Sequence, residues 1–305
     1  MTSTRVAASG GYAAVVGTFD GVHRGHRYLI DRLFSRAGEA GLATRIYTFT
    51  GHPLATIAPG RAPAPLLSLK HKEQLLRKTG VDDLHIDDFA ALRTLTARQY
   101  LERLVADGVA LLIVGHDNRF GSDGLRTLPE FQVAAQGLPI TIEQAPELTI
   151  DGRPVCSSAI RALIAQGNIA AANTLLGYPY EIAGRVIRGR QLGRTIGFPT
   201  ANILPDDPSL LLPPTGVYTA IATTGGSDYP AMLNIGHRPT VDRPDAPISI
   251  EAHIIGLDAD LYDTTLTLSL RSHLRPEQRF DSVDSLRRQL VADREATVDF
   301  FSTKQ

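Results

Sequence analysis

The stretch Gly17-Thr18-Phe19-Asp20-Gly21-Val22-His23-Arg24-Gly25-His26 decides how the first half of this chain folds. It follows a short apolar run at residues 13–16. It precedes residues 27–37, where Tyr28, Leu29, Leu33 and Phe34 recur at helical spacing. The order is therefore strand, glycine-rich loop, helix. Residues 43–49 form the next apolar run, which makes a βαβ unit of about thirty residues. Backbone N–H groups gather at the start of such a helix and favour an anion there.

Outward from this unit the alternation continues. Residues 71–79 read as a helix stopped by Gly80, and 84–86 as a strand. Thr96 is the expected N-cap of a helix over 97–106, which Gly108 ends before the buried strand 110–114. Residues 129–135 and 140–143 repeat helix then strand. Ser157 or Ser158 caps a helix through residue 165, and 169–176 follows as another. The pattern predicts a doubly wound, Rossmann-like parallel α/β sheet.

The chain changes character after Gly177-Tyr178-Pro179-Tyr180. Short strands are expected at 181–187, 216–223, 229–234, 248–255 and 264–270. Gly225-Gly226, Arg243-Pro244-Asp245 and Asp258-Ala259-Asp260 supply turns between them. This half reads as an antiparallel barrel or sandwich, closed by a helix over 283–298 with Asp281 or Ser282 as its cap. Two domains are expected, 1–180 and 181–305.

Composition narrows the function classes. With 305 residues, 43% hydrophobic and 21% charged, the chain has ample material for two cores. A net charge of −1 gives no global attraction for nucleic acid or an anionic membrane. Only four residues are lysines (Lys70, Lys72, Lys78, Lys304), so arginine supplies most cation chemistry. The lone Cys156 excludes an intrachain disulfide and a multi-cysteine metal site. The first ten residues are too polar for a signal sequence, and no apolar run reaches spanning length. A cytoplasmic location is the expectation.

His23 and His26 are three apart, so a helix starting around them shows both rings on one face at its positive end. Gly17, Phe19, Gly21 and Gly25 surround them, and Gly21 and Gly25 permit close backbone approach to a ligand. Such imidazoles can bind polyphosphate and donate hydrogen bonds to a departing anion. A zinc site and a pair of solvated loop histidines are the alternatives. Ser157, Ser158 and Arg161 open a later helix as a second anion cradle or as a plain cap. Asp117, in Val114-Gly115-His116-Asp117-Asn118-Arg119-Phe120-Gly121, emerges at the carboxyl end of a buried strand.

Residues 17–26, Thr48-Phe49-x-x-His52-Pro53, the 114–121 loop and the 157–161 helix start together resemble the adenylyltransferase half of bacterial bifunctional riboflavin kinase/FAD synthetases. The resemblance implies a nucleotidyltransferase fold. His23 and His26 would be catalytic; Gly17, Phe19, Gly25, Asp117, Ser157, Ser158 and Arg161 would bind nucleotide. This chain departs from the family at Asn118, where an aromatic is usual, at Gly51, and over residues 122–127.

The second half has no Walker A pattern. Residues 184–202 place glycines and arginines, among them Gly193 and Arg194, before Pro199-Thr200-Ala201-Asn202. Thr200 and Asn202 alternate onto one side of an extended segment and carry hard oxygen atoms suited to Mg²⁺. A barrel loop in which both satisfy turn backbone is the other reading. Alternation along 248–254 puts Glu251 with Ser249 and His253, opposite Ile250 and Ile254.

This stretch resembles the riboflavin kinase domain. Later landmarks agree: Gly216-Val217-Tyr218, Asn234-Ile235-Gly236-x-Arg238-Pro239-Thr240, Glu251-Ala252-His253, Asp260-Leu261-Tyr262 and Leu274-Arg275-x-Glu277-x-Arg279-Phe280. The resemblance implies Thr200 and Asn202 as ligands of an ATP-bound Mg²⁺, and Gly193 and Arg194 as nucleotide contacts. Glu251 would be the general base and Arg275 a flavin or nucleotide contact; a solvated arginine is the other reading of Arg275. The implied function converts riboflavin to FMN and FMN to FAD, with riboflavin, FMN and ATP as small-molecule partners and the oligomeric state undetermined. Two other readings compete: a kinase with a weakened or redirected adenylyltransferase, and a non-enzymatic flavin-binding regulator.

Overall fold

A computed structural model describes residues 10–189, 191–237 and 248–303. Packing divides the chain into two compact units, Met1–Ser157 and Ser158–Gln305.

In the first unit β1 (Tyr12–Val16), α1 (Arg24–Ala40), β2 (Ala43–Phe49), α2 (Pro53–Ile57), α3 (Leu69–Arg77), β3 (Asp83–Asp87), α4 (Phe89–Leu92), α5 (Ala97–Ala106), β4 (Val109–Val114), α6 (Leu128–Ala134) and β5 (Thr141–Gln144) follow in order. A small hairpin, β6 (Thr149–Ile150) and β7 (Arg153–Pro154), ends it. The sheet order is β3-β2-β1-β4-β5, and every pair in it is parallel. The chain winds outward from β1 to β3 and then crosses to β4 on the other side. The loops leaving β1 and β4 therefore part at the carboxyl edge, where such sheets take ligands.

Alternation along β1 builds both cores. Ala13 and Val15 join Ile30, Leu33 and Ile46 on one face; Ala14 and Val16 join Tyr47, Leu101, Leu104 and Phe131 on the other. Helix α5 starts where its local signal predicts, because Thr96 and Gln99 form a reciprocal capping box. Helix α1 starts three residues before the expected 27. His23 caps it, its Nδ1 accepting the His26 N–H at 3.3 Å.

Helix α7 (Ser157–Ala165) begins at the division between units, and α8 (Ile169–Leu176) precedes the strands. There follow β8 (Tyr180–Ile187), α9 (Leu192–Thr195), β9 (Ala201–Pro205), β10 (Gly216–Thr224), β11 (Ser227–His237), β12 (Ile248–Ile254), β13 (Thr265–Pro276) and α10 (Val283–Ser302). The strands close into an antiparallel barrel, β10-β11-β12-β9-β8-β13, with β13 pairing back to β10. Of barrel and sandwich, the fold is the barrel. Closure removes the open edges that a sandwich would leave.

Strand β9 and helix α9 have no periodic signal of their own in the sequence. Residues 191–205 mix glycine, proline and polar groups with no sustained period, and pairing with β8 and β12 supplies the order. The change of local pattern near residue 180 and the change of packing at 157/158 are different boundaries. Helix α8 buries Ile169, Ala172, Leu175 and Leu176, and the Asn173 amide donates to the Leu270 carbonyl at 2.9 Å. Asn173 also accepts the Tyr180 N–H at 2.7 Å, so a helix of the first pattern is built onto the barrel.

The Arg243-Pro244-Asp245 turn, Arg190 and Arg238-Pro239-Thr240 lie outside the described residues. Among the described residues no helix is long and apolar enough to cross a membrane.

Candidate active sites

In the first unit the loop after β1 follows an unusual backbone path. Phe19, Gly21 and Val22 have φ of 49°, 86° and 34°. Phe19 and Val22 are fully buried, and the Gly17 N–H donates to the Tyr47 carbonyl at 3.1 Å. Packing thus holds two non-glycine residues in a left-handed conformation that costs about 1–3 kcal/mol each.

The path delivers His23 and His26 to the start of α1. Their rings stack at 3.6 Å between centroids and 16° between planes, and Phe19 lies against His26 at 5.1 Å. Gly25 between them is obligatory. A Cβ there would fall 2.7 Å from the Val155 carbonyl and 3.1 Å from the His23 ring. Burial first, then the charges of His23 and Lys72, hold His26 well below the ordinary histidine range. Its Nδ1 is sealed from solvent without a hydrogen-bond partner.

Parallel, stacked rings do not converge on one ion. Among the described residues no group of three or more His, Cys, Asp and Glu gathers as a metal site. The geometry suits an anion at the helix start better than zinc.

The other predicted residues of this half occupy distinct places. The Ser157 hydroxyl donates to the Asp20 carbonyl at 2.8 Å, tying the start of α7 to the β1 loop. Ser158 and Arg161 continue α7 and pack with the second unit. Asp117 is exposed in the loop after β4. Asn118 is engaged: its amide donates to the Val16 carbonyl at 3.0 Å, linking that loop to the end of β1. Asn118 thus carries a structural role of its own.

Lys72, on α3, is a residue of this region that no motif in the sequence marks. It is 7% exposed and reaches the carbonyls of Phe49 and Thr18. A lysine inside an otherwise ordinary amphipathic helix gives no local sign that it will be buried.

In the barrel, β12 pairs with both β9 and β11, placing Glu251 opposite Asn202 on one side and Asn234 on the other. Directly opposed side chains share a face of the sheet. Asn202, Glu251 and Asn234 therefore form a half-buried polar row across three strands. Thr200 stands beside it, its Oγ1 donating to Glu251 Oε2 at 3.3 Å. The expected alternation holds, with Ile250, Ala252 and Ile254 buried. Ser249 is buried as well, its hydroxyl donating to the Gly236 carbonyl at 3.2 Å. Strand register, which no local pattern in the sequence reveals, is what brings Asn234 beside Glu251.

The preceding loop is shaped to this row. A Cβ on Gly189 would meet the Asn202 amide at 2.3 Å, so glycine leaves the space that the amide fills. Gly193, in α9, accepts the Phe198 N–H at 2.8 Å, and Arg194 is exposed on the same short helix. The His253 ring, paired through Nδ1 with the Pro199 carbonyl at 2.8 Å, is held below its usual range by burial despite that bond. Arg294 of α10 lies 5.7 Å over Phe198, so the closing helix braces the segment that ends in Thr200.

Arg275 is neither solvated nor open on all sides. Its Nε and one terminal nitrogen grip Asp293 of α10 at 2.7–3.0 Å, and the other terminal nitrogen donates to the Pro276 carbonyl at 3.1 Å. Asp293 is 2% exposed and also accepts from Gln289. The pair anchors α10 to β13.

Comparison with known proteins follows the same division. A riboflavin kinase family model matches residues 176–301, and an FAD synthetase family model matches residues 6–159. A bifunctional riboflavin kinase/FMN adenylyltransferase from Pseudomonas fluorescens is 37% identical over 286 residues, spanning 93% of this chain and 91% of its own. A protein of the same description from Escherichia coli (strain K12) is 36% identical over 297 residues, spanning 95% and 93%. The crystal structure of a macrolide-efflux protein from Streptococcus pneumoniae superposes with a TM-score of 0.85 at 29% identity, covering 97% of each chain.

Proposed function

The chain belongs to the family of bifunctional riboflavin kinase/FMN adenylyltransferases, and we propose that the β1 loop with α1 and the Thr200–Asn202–Glu251 cluster are its two active sites. The C-terminal part phosphorylates riboflavin to FMN, and the N-terminal part adenylylates FMN to FAD. We assign these parts to residues 181–305 and 1–180, with α8 serving the barrel as a packing element. ATP is the phosphate donor in the first reaction and the adenylyl donor in the second.

The observation that carries the kinase assignment is the contact between Thr200 and Glu251. The nucleophile is the neutral 5′-hydroxyl of the ribityl chain, which needs a base. The Thr200 hydroxyl donates to Glu251 Oε2, and we assign Oε1 to the substrate proton. Thr200 and Asn202 suit Mg²⁺: both offer hard oxygens, and the absent Cβ of Gly189 leaves the Asn202 amide its place. When bound with ATP, the ion neutralises phosphate charge. Gly193 and Arg194 are assigned to the nucleotide phosphates. Arg275, given its pairing with Asp293, contributes to the flavin site by fixing the position of β13.

Adenylylation makes a different demand. The attacking FMN phosphate is already an anion, so the bond from its oxygen to the α-phosphorus forms without a strong base as pyrophosphate leaves. The protein must align two anions and steady the departing one. His23 and His26 at the start of α1 are assigned to that group. Gly17, Phe19 and Gly25 shape the loop. Asp117, Ser157, Ser158 and Arg161 are assigned to the nucleotide. The substrates are small molecules, and we place both reactions in the cytoplasm.

Incubation of the full-length protein with riboflavin, ATP and Mg²⁺, followed by chromatography of the flavins, tests the reading. FMN together with FAD is expected. FMN alone would mean a weakened adenylyltransferase, and no turnover a flavin-binding regulator.

A further inference from the structure

Lys72 belongs to α3, a helix that contributes no other residue to the adenylylation site, yet its side chain ends beneath that site's loop. Its Nζ donates to the Phe49 carbonyl at 2.6 Å and to the Thr18 carbonyl at 3.2 Å. These carbonyls stand just beyond β1 and at the last residue of β2. The Thr48 hydroxyl donates to the same Thr18 carbonyl at 3.2 Å. Immediately after Thr18 the chain enters the left-handed path through Phe19, Gly21 and Val22 that delivers His23 and His26. A strained path of this kind persists only where its surroundings hold it, and Thr18 is held by two donors.

Burying an ammonium is costly, and packing alone would be served as well by methionine. Burial brings the Lys72 amine down to about 8, opposed by the carboxylate of Asp20. That carboxylate is itself fixed by the Leu66 N–H at 2.9 Å. Lys72 in turn acts on His26, adding its charge to that of His23 in keeping the ring neutral. Asp20 and His26 are thus the titratable groups that interact with this amine, and His23 acts in turn on His26.

We propose that Lys72 is a positioning residue of the adenylylation site, its buried ammonium clamping the loop that carries His23 and His26 and supplying a fixed positive charge behind the phosphate they bind. The proposal rests on reading that loop as the phosphate site.

With only four lysines in the sequence, NMR of ¹³C-lysine-labelled full-length protein resolves each one. The Lys72→Met variant assigns the signal. Pyrophosphate is the probe. Its binding should raise the Lys72 titration midpoint by about half a unit or more, because a nearby anion favours the ammonium. The imidazole signals of His23 and His26 should move with it. Histidines that respond while Lys72 stays still would overturn the lysine proposal alone. No response from either would overturn the phosphate-site reading as well.

Lys72→Met should also lower FMN adenylylation about tenfold to a hundredfold, as expected for losing hydrogen bonds from a charged donor, with riboflavin phosphorylation unchanged. Adenylylation within about twofold of the parent in a folded variant would again refute it. If Lys72→Met fails to fold, Lys72→Arg assigns the signal and the pyrophosphate titration of the parent protein decides the matter.

Discussion

Thr200 and Glu251 meet hydroxyl to carboxylate, Thr200 Oγ1 donating to Glu251 Oε2 at 3.3 Å, although 51 positions separate them in the chain. The contact exists because β9 pairs with β12 in a register that sets Asn202 opposite Glu251. One side chain of the proposed metal pair thereby orients the proposed base.

Glu251→Gln should keep this arrangement, since the amide oxygen can accept from Thr200. Riboflavin phosphorylation should fall by roughly 10²–10⁴, the usual share of a general base. FMN supplied externally should still become FAD. Normal phosphorylation by this variant, measured by flavin chromatography, would place the base elsewhere.

Replacing both His23 and His26 by alanine should reduce FAD formation at least a hundredfold, about 3 kcal/mol of leaving-group stabilisation. FMN formation from riboflavin should persist. Steady-state rates of the two reactions in one preparation check both halves of this statement. Intact FAD synthesis would remove the histidines from the mechanism.

Acid should destabilise the first unit through His26. Its folded-state pKa lies below the ordinary value of 6.5, so in the window just below 6.5 the unfolded chain binds a proton that the native state refuses. Stability therefore falls as pH drops through that window and is fully present above it. His26→Gln should show a shallower loss between pH 7 and 5 in urea denaturation followed by a first-unit probe. Equal slopes in the two proteins would contradict the assignment.

Arg275→Ala or Asp293→Ala should each destabilise the barrel unit by about 3–5 kcal/mol, because either leaves a buried charge without its partner. Arg275→Met combined with Asp293→Leu should recover most of that loss. Thermal melting of the single and double variants measures the coupling. Additive effects would show that the ion pair does not anchor α10.

A fragment of residues 158–305 should fold and make FMN, and should be more stable than one of residues 181–305. The shorter fragment loses the buried Ile169, Leu175 and Leu176 of α8, worth about 1.5–3 kcal/mol each when fully buried. It also loses the Asn173 bonds to Leu270 and Tyr180. Equal denaturation midpoints would mean that α8 is dispensable to the barrel.

What the amino-acid order determined by itself is whatever a few neighbouring residues specify. Thr96 with Gln99 marks the start of α5, and Asn168 and Gly177 bracket α8, because caps act within one turn. Strand alternation placed Glu251 on the side away from Ile250 and Ile254, and the strand–loop–helix order put His23 and His26 at a helix start. Tertiary structure alone decided the rest. It buried Lys72 under the β1 loop, turned Arg275 onto Asp293, bound Asn118 to Val16, set Asn234 beside Glu251, and chose a closed barrel. Each of these depends on a partner between 17 and 102 positions away, brought near by strand register and helix packing. Local periodicity carries no information about which distant group a side chain will meet.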